Sequence, residues 1–509
     1  MSGEAKTTDA VHAETTNNID PSEPPEKTLA QDQAALDLSA TVLTTTAYEY
    51  SEKDATRVRW KIDTHLMPVL FFTGMMSAVD KIIISNAALY GLKADLHLTG
   101  SQYSWVGSII SFGILAAEWP GAYIVQRYRL SRVVATIVVM WGVMACLTAV
   151  AKDFSSLMAL RFLLGLFEGP IFPACQVYVV MMYKADEQPL RIAIYLASLA
   201  TLFIGPLSYG IGRSTGASIA TWKLLYITVG GVTFLWGIAL FFLLPDNPAT
   251  WRILSDRERY IAIDRVRVNR TGIENKKVKW YQVREAFLDP KSWVLLCGQV
   301  LICTFLGGLT TFAALIVNNL GFSPLQTVLL GMPTGVIQTA SSIIVSYVGT
   351  IWPNTRCIFI SATCLIPLVG TALIWKLPED AKFARLGVYY VIYLFWGAYT
   401  LSASLPAVNT SGHSKKVTLY AMTFVAYTTG LIIGPQYFSK SFNNGYVALM
   451  SSAAIASLLF LCYALICVWE NRRKDKAVAA GKFDNMNHGV DEDLLDLSET
   501  EKRDFRYQF

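Results

Sequence analysis

Apolar and polar residues segregate along this chain in blocks of about twenty residues, far longer than the turn-by-turn alternation of an amphipathic helix or strand. An α-helix needs about 20 apolar residues to cross a bilayer. Twelve apolar blocks meet that length, at about 65–88, 103–125, 132–151, 155–178, 189–212, 223–244, 292–318, 325–348, 356–376, 385–406, 417–438 and 446–469. They predict an all-α polytopic membrane protein with twelve transmembrane helices in two six-helix halves. The polar segments set the boundaries. Residues 1–60 form a disordered N-terminal tail, 61–244 the N-terminal half, 245–291 a central loop, 292–469 the C-terminal half and 470–509 a C-terminal tail. The first forty residues lack a basic segment followed by an apolar one, so no secretory signal is expected, and their Thr-, Asp- and Glu-rich composition predicts disorder.

Composition narrows the function classes. Of 509 residues, 53% are hydrophobic and only 16% charged, where a soluble protein carries about a quarter. The net charge of +5 is explained by loop residues and gives no reason to expect nucleic acid. All eight cysteines lie in apolar runs without metal-ligand spacing, and are read as small buried hydrophobes. Neither GxxxxGK[ST] nor HExxH occurs, histidine numbers five, and no nucleophile–base set is recognisable. No catalytic residue, cofactor or metal is therefore expected.

The basic residues orient the spans. One set of loops holds Arg57, Arg59 and Lys61, then Arg127, Arg129 and Arg132, then Lys415 and Lys416, and Arg472 to Lys474. The same set includes the central loop with Arg252, Arg257, Arg259, Arg265, Arg267, Arg270, Lys276 and Lys277. The opposite set holds only scattered residues such as Lys93, Lys152, Arg213 and Lys382. Both termini and the central loop are expected in the cytoplasm, so the glycosylation pattern at Asn269–Thr271 should stay unmodified, and "NTS" at Asn409 abuts a span. Ser255 with Glu258 forms a capping-box pattern that opens a short surface helix in the central loop. The fifth and eleventh spans share a Gly-Pro echo, "LFIGPLSYG" and "LIIGPQYFS", as expected of parallel six-span repeats.

Ionisable residues inside a span are costly and mark function. Here they are Asp80 and Lys81 in the first span, Glu118 in the second, and Arg161 and Glu168 in the fourth. The C-terminal half instead offers Asn318, Gln338, Asn409 and several tyrosines, among them Tyr389, Tyr390, Tyr393 and Tyr427. Arg161 and Glu168 lie seven residues apart, on one helical face about 10 Å apart along the axis. Asp80 and Arg161 fall at similar depth, with Glu168 deeper. One reading pairs these charges to fix helix packing. The other makes Lys81 and Arg161 ligands of an anion, and Glu168 a lone acid able to take up and release a proton near neutral pH.

The chain resembles the major facilitator superfamily, specifically its anion:cation symporters and, within them, the fungal allantoate permease branch. The resemblance is carried by "KIDTHLMPVL" leading into "AVDK", by "YGLKADLHLTGSQYSWVGSI", "FGILAAEWPGAY" and "RFLLGLFEGPIFPA", and by "WYQVREAFLDPKSWVLL", "GGLTTFAALIVNNLGF", "LLGMPTG" and the final "DFRYQF". It implies proton coupling through Asp80 and Glu168, and anion contact through Lys81 and Arg161. Substrate contacts in the C-terminal half are expected from Asn318, Gln338, Tyr393 and Asn409, and gating from Glu118, Arg127 and Arg132. The sequence departs from the superfamily's loop between the second and third spans: "AYIVQRYR" has Ala122 for a glycine and Gln126 for an aspartate.

The function expected is secondary active transport: proton-coupled symport of a small organic anion or nitrogenous nutrient, of allantoate, vitamin or carboxylate type. Two alternatives remain open, an exporter of a secondary metabolite on the same fold and a nutrient sensor that does not transport. The partners expected are a small-molecule substrate, protons and membrane lipid. A monomer in the plasma membrane is expected.

Overall fold

A computed structural model describes residues 48–184, 187–196, 199–214, 219–267, 279–352, 354–480, 497–502 and 505–509. Ser51 starts the first helix: its hydroxyl accepts from the Asp54 N–H and the Asp54 carboxylate accepts from the Ser51 N–H. The helix then runs unbroken through Glu52–Leu89, so span 1 begins well before the apolar block at 65. Its charged first turns stay helical because other polar segments meet them. Lys61 donates to Glu258 at 2.6 Å and Asp63 binds both Nε and Nη2 of Arg191.

Eleven helices among the described residues are long and apolar enough to cross a membrane. Spans 2, 3, 4 and 6 are Gly100–Arg127, Leu130–Thr148, Phe154–Met182 and Thr221–Leu243. Spans 7, 8 and 9 are Pro290–Asn319, Pro324–Gly349 and Arg356–Lys376. Spans 10, 11 and 12 are Lys382–Asn409, His413–Tyr437 and Phe442–Ala479. The expected fifth span is met as Gln188–Leu196 followed by Ala200–Gly212. Within the first half, span 3 packs on span 6 and span 2 on span 4; within the second, span 7 packs on spans 11 and 12, and span 9 on span 12.

Besides span 5, three spans are discontinuous among the described residues, and span 8 pauses between Leu330 and Pro333. Span 4 breaks after Glu168 at Gly169–Pro170 and resumes at Ile171, since proline supplies no N–H to the preceding turn. Span 10 comes in three pieces, Lys382–Ile392, Phe395–Ala403 and Leu405–Asn409. The Gly-Pro echo recurs in backbone but not in surroundings. A Cβ on Gly205 would strike Met332 of span 8 in the other half, whereas one on Gly434 would strike Thr304 of span 7 in its own half.

Hydrogen bonds between the halves gather away from the termini. Ser85 accepts from the Ala314 N–H (2.8 Å), Tyr103 donates to the Thr311 carbonyl (2.7 Å), Ser108 donates to the Ile432 carbonyl (2.7 Å) and Thr201 donates to the Met332 carbonyl (2.9 Å). At the terminal end, by contrast, Trp119 and Tyr123 of span 2 are exposed.

In the central loop, Ser255 and Glu258 cap the helix Asp256–Arg267 as their spacing predicts. Arg270, Lys276, Lys277 and the Asn269–Thr271 pattern lie outside the described residues. All eight cysteines are free thiols, but Cys297 and Cys462 face outward instead of being buried. On a lipid-facing surface a small apolar side chain needs no burial.

Candidate functional site

Span 1 presents Ser77 and Lys81 one helical turn apart. Span 4 ends its first piece at Glu168 opposite them. The Lys81 ammonium donates to Ser77 Oγ at 2.9 Å and forms an ion pair with Glu168 Oε1, which also accepts from the Ser77 hydroxyl. The second oxygen, Glu168 Oε2, is buried without a hydrogen-bond partner. The pair is asymmetric: the Lys81 side chain keeps 13% of its surface exposed and Glu168 only 1%. Phe172, just past the break in span 4, sets its ring 5.4 Å from the Lys81 nitrogen.

Asp80 points elsewhere. Adjacent helical residues diverge by about 100°, so they do not face one another. Asp80 is fully buried in the first half with Arg161, Trp141 and Tyr226. Neither of its oxygens completes a hydrogen bond, and the Trp141 indole N–H, itself unpartnered, lies within reach of it. Arg161 Nη1 donates to the Tyr226 hydroxyl at 3.0 Å. Span 4 approaches span 2 through glycine: a Cβ on Gly165 would collide with the Ile110 carbonyl, and one on Gly113 with the Phe162 carbonyl. That close approach seats Arg161 and Glu168 one turn to either side.

The expected compensation of Lys81 by Asp80 is not made as a contact. Lys81 pairs with Glu168, and Asp80 lies buried within electrostatic reach of Arg161, Glu168 and Lys81 without an ion pair. Glu168 is not the lone acid that the sequence suggests.

Across from Glu168, Tyr427 of span 11 is close enough for electrostatic contact, which puts the Lys81–Glu168 pair at the boundary between the halves. Tyr427 belongs to a half-buried aromatic row. Its ring centroid lies 5.7 Å from Tyr399 and 6.2 Å from Phe424, and Tyr399 lies 4.9 Å from Trp396.

The remaining sequence-predicted residues scatter. Tyr393 is buried and its hydroxyl meets that of Tyr389 at 2.7 Å. Gln338 is buried midway along span 8, and Asn318 sits at the far end of span 7. Asn409 departs most from expectation. Its amide is spent on Tyr463 and on both backbone groups of Gln508. Glu118 is half-buried, with Oε2 unpartnered. Arg127 donates to Tyr123 in its own helix at 2.6 Å, and Arg132 is exposed. Sequence reasoning missed Ser77, Phe172, Trp396, Tyr399 and Phe424. The i−4 spacing of Ser77 from Lys81 was the one available signal.

The family model described as Major Facilitator Superfamily matches residues 70–435. The chain belongs to the major facilitator superfamily. An uncharacterized transporter of Schizosaccharomyces pombe is 34% identical over 91% of this chain and 89% of its own length. The allantoate permease of Saccharomyces cerevisiae is 29% identical over 90% of this chain and 87% of its own length. Among solved structures, the D-xylose-proton symporter shares the fold, with a TM-score of 0.59 and 14% identity over 78% of this chain and 97% of that one. The major facilitator chain described here is thus an integral membrane transporter and not an enzyme.

Proposed function

We propose that this transporter is a proton-coupled symporter of a small organic anion, with Lys81 as the anion's seat and Glu168 as the proton carrier. The observation that carries the reading is the Lys81–Glu168 ion pair at the boundary of the halves, with the ammonium partly exposed and the carboxylate buried. Empty, the pair sums to zero charge. A proton alone would leave the site at +1, and an anion alone at −1. Either charge is expensive in a low-dielectric interior. Proton and anion together restore zero: Glu168 is neutralised, and Lys81 turns from the carboxylate to the substrate. Binding of each favours the other, which is the requirement for symport.

Arg161 then serves Asp80 and helix packing, not the substrate. The aromatic row Trp396–Tyr399–Tyr427–Phe424 supplies the opposite wall and suits an organic body behind the anionic group. The allantoate permease among the relatives fits this class of cargo. The basic side, with both termini, faces the cytoplasm of a cell whose plasma membrane holds the protein. The contacts between halves, which gather at the opposite end, then correspond to a cavity open inward.

The test is uptake of a panel of labelled organic acids by cells expressing the chain, with and without a protonophore. On the acid that is taken up, Glu168→Gln keeps counter-exchange but loses accumulation driven by a pH gradient, and Lys81→Ala loses both. Accumulation by Glu168→Gln equal to that of the unaltered protein would sink the assignment.

A further inference from the structure

The last residues of the chain are bound as a peptide is bound by a receptor. Asn471 at the end of span 12 donates its amide to the Tyr507 carbonyl and accepts from the Tyr507 N–H, both at 2.9 Å. Asn409 at the end of span 10 does the same for Gln508, both at 2.8 Å. The N–H of Arg356, which opens span 9, donates to the Phe509 carbonyl at 3.1 Å. Two asparagines thus read consecutive peptide groups from opposite sides. Between them Tyr507, 5% exposed, receives the Lys291 ammonium of span 7 on its ring face at 3.5 Å.

A second anchor lies upstream. Glu499, 1% exposed, forms an ion pair with Lys415 of span 11, also 1% exposed. Lys415 further meets Glu285 at 3.0 Å and Asp289 at 3.6 Å. Burial pushes the Glu499 carboxyl above its ordinary range even with Lys415 beside it. The ends of five spans therefore converge on this segment, joined by Tyr281 and Glu285 from the end of the central loop.

We propose that residues 497–502 and 505–509 are an intramolecular peptide ligand of the second half, and that their docking fixes the last two pieces of span 10 and, with them, the aromatic wall. Span 10 has no continuous helix to set its end. The five-residue piece Leu405–Asn409 is joined to the piece before it at Ser404, and its last side chain is held by Gln508 and Tyr463. The preceding piece, Phe395–Ala403, carries Trp396 and Tyr399. A clamp at Asn409 is thus transmitted through one joint to two side chains of the wall. This holds whatever substrate the site takes.

The experiment uses the full chain in lipid nanodiscs with two readouts. Trypsin cleavage after Arg506, followed as release of Tyr507–Phe509, reports departure of the segment. Amide hydrogen exchange over 395–409 reports span 10. Asn409→Ala removes the clamp from the receptor side. Thr500→Glu acts from the exposed ligand side, where the Thr500 hydroxyl donates to Glu285 at 3.0 Å, and sets two negative charges together without touching the core. Both variants are expected to raise cleavage at least ten-fold and to speed exchange at least three-fold across both pieces, 395–403 and 405–409. Thr500→Ala, which only loses one surface hydrogen bond, stays within two-fold on both. Unchanged cleavage in both variants overturns the docking. Faster cleavage with exchange altered only at 405–409 overturns the control of the wall.

Discussion

Asp80 and Glu168 are both carboxylic acids buried within the spans, and their surroundings differ. Asp80 sits in the core near a fully buried arginine, while Glu168 meets a partly exposed lysine and a serine hydroxyl. Asp80→Asn removes a buried negative charge that acts on Arg161 and leaves the guanidinium less compensated, which costs on the order of 3–5 kcal/mol. The expected result is a large loss of folded protein, seen as a collapsed monodisperse peak in detergent. Glu168→Gln loses less folded protein, because a neutral amide still accepts from Ser77 and Lys81, and the Lys81 side chain keeps 13% of its surface exposed. Equal yields of the two variants would count against the division. The sequence made these five charges conspicuous because few others lie inside the spans. It did not reveal their partners. Adjacency of Asp80 and Lys81 suggests a pair, but helical geometry turns neighbours apart, and only the fold brings Glu168, 87 positions on, to Lys81.

At the scale of elements, the polar pieces outside the membrane are bound to the bundle through buried charge. Glu187, just before the first helix of span 5, accepts from Arg265 at 2.5 Å and pairs with Arg59 at 3.4 Å. Arg265 is 3% exposed, and burial pulls its guanidinium below the usual range. Glu187→Gln should therefore lower the unfolding temperature by several degrees, through a loss on the order of 3 kcal/mol. Asp256→Asn, which breaks only an exposed i,i+3 pair with Arg259, should leave it unchanged. A differential thermal-shift measurement separates the two, and equal shifts would show that the Glu187 hub adds nothing beyond a surface pair. Hydropathy marked the membrane-crossing segments because lipid demands long apolar runs, and the Gly169–Pro170 break was legible in its residues. The break of span 10 at Tyr393 was not, since no proline or glycine marks it, whereas the break at Ser404 carries Pro406 in the first turn of the piece that follows. The helical start at Glu52 had a local signal in the Ser51–Asp54 capping box. The bound C-terminal segment was hidden, because it depends on contacts distant in sequence, such as Asn409 with Gln508.

At the scale of the whole molecule, two six-helix halves meet away from the termini, and the paired charges lie at their boundary. The family was legible from its motifs, and the twelve-block hydropathy carried the architecture. The aromatic wall was not, because four rings on two spans become a surface only after spans 10 and 11 pack. The proposed coupling of one proton and one anion at Lys81 and Glu168 has an electrical consequence. Moving one elementary charge through 100 mV involves about 2.3 kcal/mol. A site that is neutral both empty and loaded carries none across, so the voltage can neither drive nor oppose the cycle for a monovalent anion. In vesicles clamped with potassium and valinomycin, accumulation of such an anion should follow the pH gradient alone and stay flat between 0 and about 100 mV of either sign. A divalent anion crossing with a single proton carries one net negative charge. A negative interior of about 100 mV should depress its accumulation as much as fifty-fold, the same 2.3 kcal/mol expressed as a ratio. Monovalent accumulation that tracked the voltage would mean that a second charge moves with the substrate, and that the neutral pair is not the unit of transport.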